Sequence, residues 1–555
     1  MKKFKVLSIL IIVTILATSC KDQLDVRNPN QPLSTDINTE GNIVSVGLGI
    51  YASGFRGVKY GGFQGTFVTD VFAFHEIMGD VIGIEAANLY VNQIGMPDWV
   101  KTDNGTTIPN PATPPTQLSL IRTVNINQSA DQNPIYYEWG YMYALINSCN
   151  AILKNVDIIT YQGDQATQDS KKATLKAWAY WWKGWAYSRI GSLYYAGLIV
   201  NDPYPAPIVH DYVSKDAMIV EANVTLDKAA AALASVTLPS VYTAMIGNLI
   251  PSIFKVGKGA VPTVASWTRS ISTMKARNLL VNTKTSQMTT AQWNTILTLA
   301  NAGLTSSDNV FLAKSNDTGD FMSPTGGNVA NIIAGGDPSS VTYKISERFV
   351  QDMNVGDKRK ANNFTTASGG KWIGNSDRGN IFNTRWRLTN NTTGVGSQGA
   401  GVIVWGSRVS GNGDVYLGPT WEENELMKAE ANIYLGNLAV AGTSIDLVRN
   451  AQGAGLAATA VPDAATAKEE LRKERRIGLA FRALSFYDAR RWGVIDPVSA
   501  GGGRTGAVVL DKFSTLNTNA TINYNYLDYW DVPDNEIVFN TPSATSAPVK
   551  NPRSN

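Results

Sequence analysis

Apolar side chains recur every three or four residues through long parts of the chain, which is the spacing of one face of an α-helix. Within residues 172–193 this spacing aligns Trp178, Trp182 and Trp185. We therefore predict a helix there whose aromatic stripe packs in the core and does not contact a ligand. The same pattern predicts seven further helices, over residues 136–156, 220–236, 264–280, 290–302, 421–435, 439–451 and 465–490.

Short turns connect some of these helices. Gly436 and Asn437 join the predicted helix 421–435 to the predicted helix 439–451. This arrangement is the helix–turn–helix unit of tetratricopeptide-like solenoids, although the chain has no strict repeat of about 34 residues. The pattern therefore predicts a mainly α fold built from helix pairs.

The pattern changes between residues 308 and 419. Gly, Asn, Ser and Thr become frequent there, with short β-type pieces such as residues 401–405. Long irregular segments in a helical frame usually carry function, and Trp372, Trp386 and Trp405 favour an ordered segment. We predict that 308–419 is a loop-rich insertion, and that the tail from residue 501 is similarly loop-like.

Composition and charge exclude several classes of protein. A chain of 555 residues with 44% hydrophobic and 17% charged side chains can bury a large core, which excludes wholesale disorder. Without Lys2, Lys3 and Lys5, which precede a segment that we expect to be removed, the 48 basic side chains become 45 and equal the 45 acidic ones. Such a balance gives no global field to attract nucleic acid, so we predict no nucleic-acid partner.

The N-terminus has the form of an export signal. The three lysines precede an apolar run over residues 6–17, which is too short to span a membrane. Small residues directly before Cys20 resemble the lipobox of bacterial lipoproteins, in which the cysteine carries acyl chains such as palmitate. We predict a signal peptide over 1–19, a lipidated tether over 20–35 and a single domain over 36–555.

Two further observations bear on location. The acidic-leaning residues 21–25 resemble the flanks that send lipoproteins to the cell exterior in some two-membrane bacteria. The other cysteine, Cys149, lies in an apolar helical stretch, so we expect it to be buried and not disulfide-bonded. The predicted location is therefore the outer membrane, lipid-anchored and facing outward.

Most enzyme and metal signatures are missing. His75 and His210 are too far apart for HExxH, and the chain has no GxSxG elbow and no GxxxxGK[ST] loop. Residues 394–399 match GxGxxG, but between irregular segments and not between a strand and a helix. Residues 316–320 have the composition of a calcium-binding loop without EF-hand spacing. We predict no enzymatic activity and no cofactor, and we leave structural calcium open.

Several segments together resemble the SusD/RagB family of outer-membrane nutrient-binding lipoproteins. Residues 471–481 read LRKERRIGLAF and residues 486–493 read FYDARRWG, which is similar to the family's Glu-Arg, Leu-x-Phe and Asp-x-x-Arg-Trp-Gly signature. Residues 532–540 read VPDNEIVFN, like the family's C-terminal ending. The chain departs from the family at Arg482 and Ala483, where Glu-Gly is common.

The resemblance implies a SusD-like fold, with four tetratricopeptide-like helix pairs supporting a loop-rich ligand-binding half. It also implies a protein that captures a nutrient at the cell surface and passes it to a SusC-like TonB-dependent barrel. We interpret the matched residues, including Glu474, Arg475, Asp488 and Arg491, as scaffold that lies on one helix and pairs its charges.

Sugars are recognised by flat aromatic faces rimmed by polar side chains, so loop aromatics are the best candidates for ligand contact. An oligosaccharide or polysaccharide is the leading ligand class. The candidate ligand-binding residues are Tyr90, Gln93, Trp99, Trp372, Asn375, Arg385, Trp386 and Trp405.

Three other functions stay open at this stage. Peptide or glycopeptide uptake in the same complex is the nearest alternative, since helical-pair scaffolds also bind extended peptides. A surface glycoside hydrolase is a second, because the separation of its paired carboxylates is spatial and not sequential. An assembly scaffold without a small ligand is the third.

Overall fold

The computed structural model describes residues 37–52, 67–84, 90–255, 257–314, 343–366, 382–388 and 414–553. Within these ranges the chain is mainly helical with short strands, which confirms the predicted fold class. The predicted signal peptide and tether, with Cys20, lie outside the described residues.

The helices of the described chain are α1 Glu40–Ala52, α2 Phe67–Met78, α3 Val91–Ile94, α4 Gln117–Val124, α5 Pro134–Asn155, α6 Gln165–Leu193, α7 Lys215–Ala234, α8 Pro239–Leu249, α9 Val264–Val281, α10 Thr290–Asn301, α11 Glu347–Gln351, α12 Lys358–Asn363, α13 Trp421–Tyr434, α14 Leu438–Ala451, α15 Ala464–Gly478, α16 Ser485–Arg491 and α17 Asp534–Ile537. The strands are β1 Ile82–Ile84, β2 Trp99–Lys101, β3 Thr107–Pro109, β4 Ala196–Leu198, β5 Tyr212–Ser214, β6 Leu312–Lys314, β7 Tyr343–Ile345, β8 Phe364–Thr366, β9 Phe382–Asn383, β10 Trp386–Leu388, β11 Asp414–Tyr416, β12 Arg504–Asp511 and β13 Leu516–Asn523.

Helix starts coincide with capping side chains. Asp164 accepts a hydrogen bond from the Thr167 backbone N–H at the start of α6, and Thr289 and Gln292 form a reciprocal capping box at the start of α10. These bonds satisfy backbone N–H groups that have no partner within the helix. Gly436, with φ 85, turns the chain between α13 and α14, as expected for the glycine after a helix end.

The tryptophan stripe of α6 forms the centre of the core. Trp178, Trp182 and Trp185 have no exposed side-chain surface, and the rings of Trp178 and Trp182 meet edge-on with centroids 5.6 Å apart. The indole N–H of Trp178 donates to the Gly47 carbonyl in α1 at 3.0 Å. The stripe is therefore core, as predicted, and Cys149 is buried in the adjoining α5 as a free thiol.

The predicted helix 465–490 is wrong as a single element. It is divided into α15 and α16, because Phe481 and Ala483 adopt left-handed backbone conformations with φ 60 and 55. A right-handed helix cannot continue through two such residues. Arg475 and Asp488 consequently lie on different helices, contrary to the single-helix expectation, although their charges do pair.

The prediction of a loop-like tail from residue 501 is wrong for residues 504–523, whereas most of residues 524–553 is irregular. Strands β12 and β13 form an antiparallel hairpin, and it buries Ala507, Val509, Ala520 and Ile522 against the core. Its frequent Gly, Thr and Asn concealed the strands in the sequence. Register shifts along the hairpin also interrupt the simple alternation that identifies a strand.

Two sheets of the described chain have more than two strands each. One has five strands in the order β3-β2-β13-β12-β9, and the other has four in the order β1-β7-β10-β8. Only Thr384 and Arg385 separate β9 from β10, so this short connection carries the chain from one sheet to the other.

Candidate functional site

The four-stranded sheet brings Ile84, Tyr343 and Leu388 to one of its ends. Ile84 pairs with Tyr343 across β1 and β7, and antiparallel β10 brings Leu388 to the same end. Tyr343 and Leu388 both belong to the predicted insertion, so two of its described segments meet at this end of the sheet.

Glu347 fixes two of the predicted site residues. Its carboxylate accepts from Arg385 Nε and Nη2 at 3.0 and 2.8 Å, and from the Trp386 indole N–H at 3.2 Å. The hydrogen bond to Glu347 raises the pKa of Arg385. Trp386 packs on the core cluster with Lys360 Nζ 5.0 Å from its ring centre. Arg385 and Trp386 are thus held in place within the protein.

Trp99 has a different setting. It begins β2, where Val100 is fully buried and Lys101 is exposed, so Trp99 and Lys101 share the outer face of the five-stranded sheet. Its half-buried ring lies outside the core cluster and outside the partly buried side chains that pack on that cluster. Of the two candidate tryptophans that the structure describes, Trp99 is therefore the one whose ring is not packed on the core.

Tyr90 and Gln93 lie just before Trp99 in the chain. Tyr90 precedes α3 with φ 56, and Gln93 lies within that helix. The Gln93 Oε1 atom is buried and has no hydrogen-bond partner in the described part of the chain. A buried acceptor without a partner is costly, so we expect a water molecule to satisfy this oxygen.

Asp98 is a neighbouring polar residue that the sequence reasoning missed. Its Oδ2 accepts from Asn525 Nδ2 at 2.7 Å, while Oδ1 is buried without a partner among the described residues. Burial raises the pKa of Asp98. The available signal was an acidic residue directly before the predicted Trp99.

The structure separates the predicted residues into two groups. Tyr90, Gln93 and Trp99 belong to the α3–β2 segment, whereas Arg385 and Trp386 follow β9. Strands β2 and β9 are three strand spacings apart in their sheet, which is about 14 Å at ~4.8 Å per spacing. The remaining predicted ligand-binding residues lie outside the described residues; they are Trp372, Asn375 and Trp405.

His75 lies in the core and not at this site. Its Nε2 is 3.1 Å from Glu138 Oε2, and both side chains are buried. Burial lowers the pKa of His75 in spite of that carboxylate.

The described chain contains neither a metal-binding cluster nor a membrane-spanning helix. In it, no group of three or more His, Cys, Asp or Glu side chains is arranged to hold a metal ion. The stretches 316–320 and 394–399, considered above for calcium and for dinucleotide, are outside that part. None of its helices combines the length and apolar character needed to cross a membrane.

Comparison with known proteins addresses the family. Residues 425–549 match the model of the SusD family. This C-terminal part of the chain is therefore similar to the SusD/RagB family. The match covers α15, α16 and the C-terminal segment, which include the motifs that carried the resemblance in the sequence. A comparison with curated proteins finds no match.

Solved structures extend the SusD-like fold over most of the chain. A SusD-like carbohydrate-binding protein from Bacteroides vulgatus has 14% identity and a TM-score of 0.55, with 92% of this chain and 98% of that one covered. Surface glycan-binding protein A from Bacteroides thetaiotaomicron, in complex with laminarihexaose, has 12% identity and a TM-score of 0.55, with 91% and 98% covered. At such identities the likeness shows the fold alone.

Proposed function

We propose that this protein is a cell-surface lipoprotein of the SusD/RagB family that binds an oligosaccharide or polysaccharide and delivers it to a SusC-like TonB-dependent outer-membrane transporter. Support comes from the family match and from a fold shared with proteins named for carbohydrate and glycan binding. The role consists of binding followed by transfer, without bond chemistry.

The observation that carries the proposal is the setting of Trp99. Its ring lies on the outer face of a sheet, away from the core, where a flat sugar ring can stack its C–H groups on the indole. Gln93 and Asp98 add polar side chains on the same chain segment. An apolar face with a few polar acceptors is the usual composition of a sugar site.

Affinity measurement of the mature chain against a panel of polysaccharides and peptides tests this proposal. We expect a glycan to bind and Trp99→Ala to weaken it at least about tenfold, the loss typical of a central tryptophan contact. Lys101→Ala is the matched control, because it truncates a side chain on the same face. Trp372→Ala tests the predicted contact outside the described residues.

Two results would contradict this ligand assignment. Binding of peptides alone would favour the alternative of peptide uptake. Undiminished glycan affinity in Trp99→Ala would place the contact elsewhere.

The proposed anchor has a separate test. Cells are labelled with a palmitate analogue and intact cells are treated with protease. We expect label on the wild-type chain and none on Cys20→Ser, and we expect the wild-type chain to be digested from outside. Protection of the wild-type chain in intact cells would overturn the outward-facing location, whatever the ligand.

A further inference from the structure

A cavity lies two strands from the Trp99 segment, since Arg504 on its wall pairs with Ile522, and Ile522 pairs with Val100. It has a volume of about 540 Å³ and lies between α15, the residues after α16 and the start of β12. Asp352, which ends α11, forms part of its wall, whereas Glu347 at the other end of that helix holds Arg385 and Trp386. None of the described candidate residues lines this cavity; these are Tyr90, Gln93, Trp99, Arg385 and Trp386.

The lining has an excess of positive charge. Four of its side chains are cationic and two are acidic; these are Arg472, Lys473, Arg476, Arg504, Asp352 and Glu469. Three guanidinium groups converge on Asp352 at 2.6 to 2.7 Å. One carboxylate cannot neutralise three guanidinium groups, and Glu469, which also pairs with Arg472, is half-exposed. The cavity therefore keeps positive charge available for a further anion.

The pKa shifts of Asp352 and Arg476 agree with this excess. Although burial acts in the opposite direction, Arg504 and Arg476 hold the pKa of Asp352 well below its usual range. Burial lowers the pKa of Arg476, and the charges of Arg504 and Arg472 lower it further. Like charges close enough to affect one another are stabilised by an added anion.

The cationic side chains are held in fixed positions. Arg476 donates to the backbone carbonyls of Gly79 and Asp80 at 2.6 and 2.9 Å as well as to Asp352. Arg504 donates from Nη2 alone within the described part of the chain, to Asp352 and to the Arg348 carbonyl. The Nε and Nη1 groups of Arg504 have no acceptor among the described residues, so their N–H groups can donate to an oxyanion.

Trp492 gives the cavity an aromatic wall. Its indole N–H donates to Glu430 at 3.2 Å, and Arg491 lies 4.6 Å from its ring centre. Trp492 and Arg472 also line an adjoining cavity of about 230 Å³, next to Tyr434. The combined space has the size of a small-ligand site and offers an aromatic surface beside the cationic groups.

We propose that this cavity binds an acidic sugar through its carboxylate or sulfate group, with Arg504 as the principal contact and Trp492 beside the sugar ring. The inference rests on the proposed glycan-binding function and adds to it a second, anion-selective subsite. The two sites share no lining residue, so they can be tested independently.

The test uses titration calorimetry of the full mature chain with galacturonate and digalacturonate, with galactose as the neutral match and inorganic sulfate as the anion alone. We expect the uronates to bind more tightly than galactose, and more weakly when salt rises from about 0.05 M to about 0.5 M, because screening weakens the ionic contact. Uronate affinity equal to that of galactose would overturn the proposal. Sulfate binding as tightly as uronate would overturn the claim that the cavity also recognises the sugar ring.

Substitutions of Arg504 test whether this residue is the principal contact of the anion. Arg504→Gln should weaken uronate binding at least about tenfold, and Arg504→Lys should restore part of it, since lysine keeps the charge but loses the fork. Arg122→Gln, which removes one positive charge away from the cavity, is the matched control. Unfolding curves of each variant verify that it is folded.

Comparison with Trp99→Ala separates this inference from the proposed function. That variant should keep full uronate affinity at the cavity even where it loses the main glycan. Unchanged uronate binding in a folded Arg504→Gln protein would overturn the assignment of the site.

Discussion

Arg475 and Asp488 join two helices through a bidentate ion pair. Arg475 Nε and Nη2 donate to the two carboxylate oxygens of Asp488 at 2.9 and 3.0 Å, and both side chains are buried. Arg491 donates to the same carboxylate at 2.7 Å. The ion pair links α15 to α16 across the left-handed residues Phe481 and Ala483. The charged residues of the family signature therefore stabilise the junction between the two helices.

Asp488→Asn should destabilise the protein strongly. The change keeps the shape of the side chain but leaves the buried guanidinium groups of Arg475 and Arg491 without their shared carboxylate. We expect a loss of about 3–5 kcal/mol in the free energy of unfolding, measured by chemical denaturation. Asp227→Asn, which removes a carboxylate that is 60% exposed and pairs with Lys275, should cost less than about 1 kcal/mol. Equal losses in the two variants would contradict this account.

Glu76 should make the stability of the protein pH-dependent. Burial raises the pKa of its carboxyl from 4.5 to about 7, although Ser485 and the Ala483 N–H donate to it. The folded state therefore holds this proton more tightly than the unfolded state does. Its contribution is fully present below about pH 4.5 and is lost as the pH rises through about 7.

Glu76→Gln tests this dependence. A glutamine amide keeps the carbonyl acceptor for Ala483 and donates to Ser485 Oγ, which in turn donates to the His75 carbonyl. We expect the variant to be more stable than the wild type at pH 8 by about 3 kcal/mol, with the difference shrinking toward pH 5. Denaturant titrations at several pH values measure it, and a difference that does not vary with pH would contradict the assignment.

Alanine substitutions at two glycines should change the free energy of unfolding in opposite directions. A Cβ on Gly79 would lie 2.4 Å from Ser485 Cβ and 2.7 Å from its backbone carbon, whereas one on Gly49 meets no described residue within 4 Å. We expect Gly79→Ala to lower the free energy of unfolding by about 1–3 kcal/mol, because the backbone must shift. Gly49→Ala, inside α1, should raise it by about 0.5–1 kcal/mol. Thermal and chemical unfolding of the pair provide the comparison.

Trp386 and Trp99 should separate stability from binding. Trp386 packs on the core and donates to Glu347, so Trp386→Ala should cost about 3–5 kcal/mol in the free energy of unfolding and leave glycan affinity unchanged. Trp99→Ala should weaken glycan binding and leave the free energy of unfolding nearly unchanged. Unfolding curves and glycan titrations of both variants measure the four quantities, and a loss of affinity in Trp386→Ala would return that residue to the ligand site.

The sequence predicted the helical frame well. The periodic apolar stripe of α6, with Trp178 and Trp185 in the core, depends on local spacing that any helix must respect. The division at Phe481 and Ala483 was not predictable in the same way, since neither residue type signals a left-handed backbone. The family signature does contain a hint: its Glu-Gly falls on Arg482 and Ala483, and glycine adopts this conformation without strain.

For the candidate site, the sequence by itself determined which residue types are present, including a tryptophan at position 99 and one acidic residue, Asp98, directly before it. Only the tertiary structure decided that Trp99 faces outward from a sheet while Trp386 is held by Glu347. The same holds for the convergence of Arg472, Arg476 and Arg504 on Asp352, since these residues are separated by up to 152 positions. Local periodicity fixes the helices, whereas pairing between distant strands and helices sets which side chains meet and which stay open to a ligand.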